Sequence, residues 1–238
     1  TLGPDYAHQA PPELLMQRRG DSHPTIIASL RGFRFISTIE TESGRALAEA
    51  LTKQLTGGDY VTARRMREDY WMFRPTHKIF LATNYRPTIK GTDRAIWRRI
   101  RLIPFIVEIP PEMEDLELAE KLREERDGIL YWAIQGCTSW QKNGLSEPNI
   151  INEATDAYRK EQDLLGRFID EKCEVKSDFE AMASELYSEY QKWCEESGER
   201  PMSKTAFGTR LSERGMIQER TNKARLWKGL RVLTPMNW

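Results

Sequence analysis

Cysteine and histidine are scarce in this sequence. Its three cysteines, Cys137, Cys173 and Cys194, stand far apart with no CxxC spacing, which argues against both a zinc site and a disulfide framework and fits a reducing cytoplasm. The three histidines, His8, His23 and His77, are scattered, with no Glu or Cys at ligand spacing. A metal held by protein nitrogen is therefore not expected, nor is a hydrolase built on a Cys–His pair. No apolar run approaches the ~20 residues that cross a bilayer. The N-terminus lacks the charged, apolar, small-residue order of a signal peptide, and Thr1 in place of Met reads as a cut edge. There is no internal repeat and no low-complexity tract.

What is present suffices for a core: 39% of the 238 residues are hydrophobic, and seven are Trp. The formal charge is zero, but the charges are segregated. Residues 1–106 carry 17 Lys+Arg against 10 Asp+Glu, residues 107–165 carry 6 against 14, residues 166–200 carry 5 against 10, and residues 201–238 carry 8 against 2. Two basic blocks flanking an acidic middle favour two separate surfaces that face polyanions.

Residues 33–40 are β-branched and aromatic and end in Glu40, so they read as a strand delivering a carboxylate; residues 78–84 read as a second strand, delivering Asn84. Their near-continuous apolar character suggests a parallel sheet covered on both faces. Between them, Leu47, Ala50, Leu51 and Leu55 have helical spacing behind Ser43 as a cap, and residues 59–76 read as a β-hairpin with a basic tip. A third apolar strand is expected over 101–107. Beyond Pro110-Pro111 the pattern turns helical, with one stripe from Ile129 to Trp140 and another from Ile151 to Phe168. Further on, Ser177 and Glu180 form a capping box before a helix running to Trp193. Ser203 caps a short basic helix that stops at Gly215, and runs at 216–220 and 226–233 flank a polar turn. Helix, turn, helix, hairpin is the order of a winged helix.

A strand ending in acids beside a strand ending in Asn is what a nucleotide hydrolase needs next to its phosphate loop. The acid holds Mg²⁺ through water and polarises the attacking water, while the amide senses the γ-phosphate. Glu40 and Glu42 are two residues apart, so both are expected to face one crevice. Arg98 and Arg99 follow soon after, suited to completing a neighbour's site by neutralising charge on the γ-phosphate. A solvated strand exit and an ordinary basic patch are the plain alternatives for these features.

Four stretches occur in order: Glu40-Thr41-Glu42-Ser43-Gly44-Arg45; Lys53-Gln54-Leu55-Thr56-Gly57-Gly58-Asp59; Pro75 through Asn84; and Gly91-Thr92-Asp93-Arg94-Ala95-Ile96-Trp97-Arg98-Arg99. Together they resemble the superfamily 3 helicase domain of phage, plasmid and poxvirus primase-helicases, from residue 1 to about 165. A weaker likeness to that family's winged-helix region follows. The resemblance implies an AAA+ α/β core over 1–108, a helical subdomain over 109–166 and a winged-helix-like DNA-binding domain over 167–238. It implies ATP and Mg²⁺ as cofactors, with Glu40 as the metal and water carboxylate, Glu42 its neighbour, Asn84 the sensor, and Arg98 or Arg99 the arginine supplied in trans. It also implies a ring, a hexamer in the complete protein, in the cytoplasm of a bacterial host. DNA is the implied partner, bound by Lys53 and by Arg64, Arg65 and Arg67 of a pore hairpin. In the tail, Lys204, Arg210, Arg214, Lys223 and Arg225 are expected to form a basic DNA face, joined by Lys228 on the wing.

One departure stands out: no Gly-rich turn ending in Lys-Ser or Lys-Thr, the family's phosphate loop, occurs in these 238 residues. This polypeptide alone is therefore expected not to hydrolyse ATP. The alternative is a non-catalytic DNA-binding or oligomerisation protein on a degenerate helicase scaffold.

Overall fold

The computed structural model describes residues 1–17, 24–221 and 224–233. The chain divides once, into compact units of residues 1–162 and 163–238. The sequence suggested breaks at 108 and 166 instead; the helices of 109–162 belong to the first unit.

The first unit is built on a parallel sheet in which β1 (Ala7–Gln9) and β5 (Lys78–Thr83) flank β2 (Phe35–Glu40). The β-branched residues of β2 favour this half-buried pleat, and its alternation decides what is buried. Ile36, Thr38 and Glu40 point into the core, whereas Ile39 is 51% exposed and Phe35 stacks on Phe80 at 4.6 Å. The expected cover on both faces is thus present on one face only among the described residues.

Around the sheet lie α1 (Pro24–Ala28), α2 (Glu49–Thr56) and α3 (Arg94–Trp97). Helix α2 starts later than its periodicity predicts. Gly44 takes φ +73°, and Ala46 and Leu47 form bridges with Thr88 and Met16, so this stretch is used in extended pairing and Ser43 caps nothing. Leu14, Leu30, Ile36, Leu55 and Ile96 are fully buried in this core, each stabilising the fold by about 1.5–3 kcal/mol through apolar burial.

The expected hairpin is present as β3 (Val61–Ala63) and β4 (Trp71–Phe73), with Val61 opposite Phe73 and Ala63 opposite Trp71. The expected strand over 101–107 is not. These residues have no ladder partner among the described residues, and Phe105 is 95% exposed. A strand needs a neighbour for its backbone groups, and apolar character alone does not provide one. Next come α4 (Leu118–Glu124) and α5 (Arg126–Asn143), neither of which buries a residue, so the apolar stripe of α5 stands in solvent. The long helix predicted over 151–168 is two helices. The first is α6 (Asn149–Gln162), and the break comes at Asp163, whose carboxylate accepts from the Gly166 amide and caps α7 (Leu164–Lys172).

The second unit runs from α7 through β6 (Cys173–Met182), α8 (Ala183–Glu196), α9 (Lys204–Glu213), β7 (Ile217–Arg220) and β8 (Arg225–Val232), with an antiparallel sheet ordered β6-β8-β7. Here the Ser177–Glu180 capping box is overturned, because that segment is strand. Its residues pair with β8, Glu180 opposite Lys228 and Ala181 opposite Trp227, and the helix begins only at Ala183. Tertiary pairing overrides a local capping signal. Aromatic rings hold the core: Phe168 meets Tyr190 edge-on at 5.4 Å, and Tyr190 packs on Phe207 at 4.7 Å. Ser203 caps α9 as expected, accepting from the Ala206 amide.

Candidate functional site

The parallel register sets Glu40 opposite Thr83, so Glu40 and Asn84 leave the C-terminal ends of adjacent strands. Beyond the strand end, Thr83 Oγ1 donates to the Tyr85 carbonyl at 2.7 Å and accepts from the Tyr85 amide at 3.1 Å. Past this local turn the Asn84 side chain is exposed and, among the described residues, without a hydrogen bond.

Glu40 is 3% exposed. Its Oε1 accepts from the Glu42 amide at 2.9 Å, while Oε2 is buried without a partner. The Thr38 hydroxyl, two residues back on the same face, is also buried and unpartnered. Buried polar atoms nearly always find partners, so two orphans on one strand face mark a place where the fold tolerates strain. Glu42 does not share this crevice. Its carboxylate is exposed and paired with Arg45 at 2.7 Å.

Helix α2 holds the loop before α3. Glu49 Oε1 accepts from the amides of Lys90 and Gly91, each at 2.8 Å, and Lys53 donates to Asp93 Oδ2 at 2.9 Å. Asp93 Oδ1 meanwhile caps α3 through the amides of Ala95 and Ile96. The Lys53 hydrogen bond, first among the causes, holds the Asp93 carboxyl below its ordinary value. Trp97 Nε1 donates to the Gly91 carbonyl at 2.8 Å, and a Cβ on Gly91 would fall 2.2 Å from Glu49 Oε2, so a larger residue there would displace the Glu49 carboxylate. Lys53, expected at DNA, is thus committed to positioning α3. None of the Glu49, Gly91 and Asp93 contacts was evident in the sequence, because they join residues some 40 positions apart.

The two candidate arginines separate clearly. Arg99 is turned inward, donating to the Ala95 carbonyl, with its Nε buried and unpartnered. The Arg98 side chain is exposed and has no hydrogen bond or ion pair among the described residues. The Trp97 anchor inferred from the sequence is 4% exposed.

On the hairpin, Arg64, Arg65 and Arg67 lie at the exposed tip between β3 and β4. The Arg64 guanidinium lies 4.7 Å from the centre of the Tyr70 ring. Arg67 has φ +62°, a left-handed conformation unusual for a residue with a Cβ. Tyr70 is 61% exposed, whereas Trp71 belongs to the hairpin's packed side, 5.4 Å from Phe73.

In the second unit, Lys204 and Arg225 are exposed, Arg210 is half-buried, and Lys223 lies outside the described residues. Arg214 is paired with Asp163, the cap of α7, and Lys228 with Glu180 and Glu219. Those two cations therefore hold the fold together. Cys173 is buried, its thiol pushed up to about 12 by desolvation, which makes it chemically inert. Among the described residues no group of three or more His, Cys, Asp or Glu is placed to hold a metal ion, and no helix is long and apolar enough to cross a membrane.

Comparison with known proteins points one way. The family model described as Poxvirus D5 protein-like matches residues 160–228. The chain is 28% identical over 203 residues to a "Putative helicase" of Acanthamoeba polyphaga mimivirus, covering 76% of this chain and 21% of that protein. It is 25% identical to a "Putative helicase" of Frog virus 3 over 73% of this chain and 20% of that protein. A "Putative primase" of African swine fever virus is 27% identical over 98% of this chain and 27% of that protein. The chain thus spans roughly a fifth to a quarter of the length of these relatives. They come from large DNA viruses, where the sequence resemblance had pointed first to phages and plasmids.

Proposed function

We propose that this chain is the C-terminal helicase portion of a DNA primase-helicase of the superfamily 3 AAA+ kind, which acts in DNA replication. In its complete form it assembles as a ring, a hexamer, hydrolyses ATP between subunits in the cytoplasm, and draws one DNA strand through the channel. The observation that carries this reading is the buried Glu40 carboxylate with an unfilled oxygen beside Asn84 at adjacent parallel strand ends. The similarity to proteins named helicase and primase supports it.

Glu40 orients and polarises the attacking water, and Asn84 donates to the γ-phosphate. Arg98 reaches the nucleotide of the neighbouring subunit and neutralises charge as it develops there. The orphaned Glu40 Oε2, above the orphaned Thr38 hydroxyl, fits a Mg²⁺ ion held through water. That ion would neutralise phosphate oxygens. Arg64, Arg65 and Arg67 hold the DNA backbone without reading sequence, and exposed Tyr70 offers a face for an unpaired base. The helix, strand, two helices and hairpin of the second unit form a winged helix, with Lys204 and Arg225 toward DNA.

The phosphate loop is not among these 238 residues, so this chain alone turns over no ATP. The same observation favours the second reading, a non-catalytic DNA-binding or oligomerisation protein on a helicase scaffold. The two readings are separated by assaying ATP-dependent strand displacement with the longer polypeptide. Displacement that Glu40→Gln abolishes supports the helicase, and a polypeptide that binds DNA but shows no ATPase supports the alternative.

A further inference from the structure

The C-terminal side of α3 and the outer face of α6 enclose a cleft of about 190 Å³. Four arginines line it, Arg94 and Arg98 from α3, Arg101 just beyond, and Arg159 from α6, together with Glu147 and Asp156. Arg101 is already neutralised: its Nε pairs with Glu147 at 2.6 Å, and its Nη1 donates to the carbonyls of Arg98 and Ile100. Among the described residues the side chains of Arg94 and Arg98 have no partner, and that of Arg159 has only a long contact, 3.4 Å, to the Thr92 carbonyl. Three guanidinium groups therefore face one cleft against a single unpaired carboxylate, Asp156.

Both walls are fixed independently of these arginines. Trp97 meets Tyr158 edge-on at 5.3 Å, the Tyr158 hydroxyl donates to the Pro87 carbonyl, and the Leu102 amide donates to Thr155 Oγ1 at 3.0 Å. The Asp93 cap and the Trp97–Gly91 hydrogen bond hold α3. The scaffold thus gathers three guanidinium groups around one carboxylate, Asp156, and like charges left in excess repel unless an anion joins them. Guanidinium forks match tetrahedral oxyanions in particular, by paired donors.

We propose that this cleft is a phosphate-binding site, with Arg94, Arg98 and Arg159 as its ligands. It deepens the reading of Arg98 given above and rests on it for the biological source of the phosphate. Arg98 becomes one member of a three-arginine set, in which Arg159 contributes from a helix more than 60 positions away. The phosphate is either that of a nucleotide or that of a single DNA strand.

The test uses the 238-residue chain and titration calorimetry with pyrophosphate, then ATP, then a short oligothymidylate. Each ligand is compared with the Arg94→Gln, Arg159→Gln double variant and with Lys192→Gln, a surface control on α8. The double variant is expected to weaken pyrophosphate at least tenfold and Asp156→Asn to tighten it severalfold, while Lys192→Gln has no effect. Thermal melts of the variants establish that the fold is intact. If the same dependence appears with ATP, the source is a nucleotide; if it appears only with the oligonucleotide, the source is DNA. Absence of pyrophosphate binding, or equal loss in Lys192→Gln, overturns the proposal. No turnover is read, so an inactive Glu40–Asn84 site leaves this result standing, and a failed anion site leaves that reading untouched.

Discussion

The Glu42 amide donates to Glu40 Oε1 at 2.9 Å and leaves Glu40 Oε2 buried with nothing to bind. A carboxyl group kept half-satisfied in a core is costly, of the order of 1–3 kcal/mol. Such a cost is commonly retained where function needs the group. Replacing Glu40 by Gln preserves the acceptor for the Glu42 amide. The expected outcome is an unchanged or raised melting temperature, measured by calorimetry, together with complete loss of ATP turnover in the longer polypeptide.

Asp93 joins α2 to α3 through Lys53 and through its cap. Asp93→Ala removes both and is expected to destabilise the first unit by about 1–2 kcal/mol, read from urea unfolding. Asp93→Asn keeps the cap geometry but loses the charge. Because the folded-state carboxyl lies below its ordinary value of 3.8, its contribution is fully present above that value and is lost as pH falls through the lower, folded one. The stability difference between wild type and Asp93→Asn should be flat from neutral pH down to about pH 5 and vanish in stronger acid. Asp93 is half exposed, so solvent keeps the charge part of the effect small.

The hairpin arginines are expected to act on coupling. Arg64→Ala with Arg65→Ala should leave ATPase in the longer polypeptide and reduce strand displacement. In single-strand binding by anisotropy, the salt dependence should fall by about 0.7 in logarithmic slope for each phosphate contact removed. Unchanged unwinding would exclude the hairpin from the DNA path.

Three cations of the second unit should behave in two opposite ways. Arg214→Ala breaks the pair with Asp163 and should lower that unit's melting temperature with little change in DNA affinity. Lys204→Ala with Arg225→Ala should weaken duplex binding with no change in melting. Loss of DNA affinity in Arg214→Ala without loss of stability would return that residue to the DNA face.

The parts legible in the sequence were those carried by local pattern: strands β2 and β5, the hairpin, the Ser203 cap and the two final strands. The side-by-side exit of Glu40 and Asn84 followed from strand order. What was not legible depended on distant partners. Residues 101–107 read as a strand by composition but have no strand neighbour among the described residues, and Glu180 looked like a cap until Lys228 was set opposite it by the sheet. Lys53 and Arg214 looked like free cations for the same reason, since Asp93 and Asp163 meet them only in the fold. Glu40 and Glu42 were expected to face one crevice, but the alternation of β2 buries the first and the chain turns the second out to Arg45.

The central claim, a nucleotide site shared between copies and containing Glu40 and Arg98, is tested most directly by subunit mixing in the longer polypeptide. Glu40→Gln and Arg98→Ala are each expected to abolish ATP turnover alone, with nucleotide binding retained in Arg98→Ala. Mixed in equal amounts, they should regain part of the wild-type rate, because some interfaces then pair an intact Glu40 with an intact Arg98. A mixture as inactive as either variant alone would contradict the account.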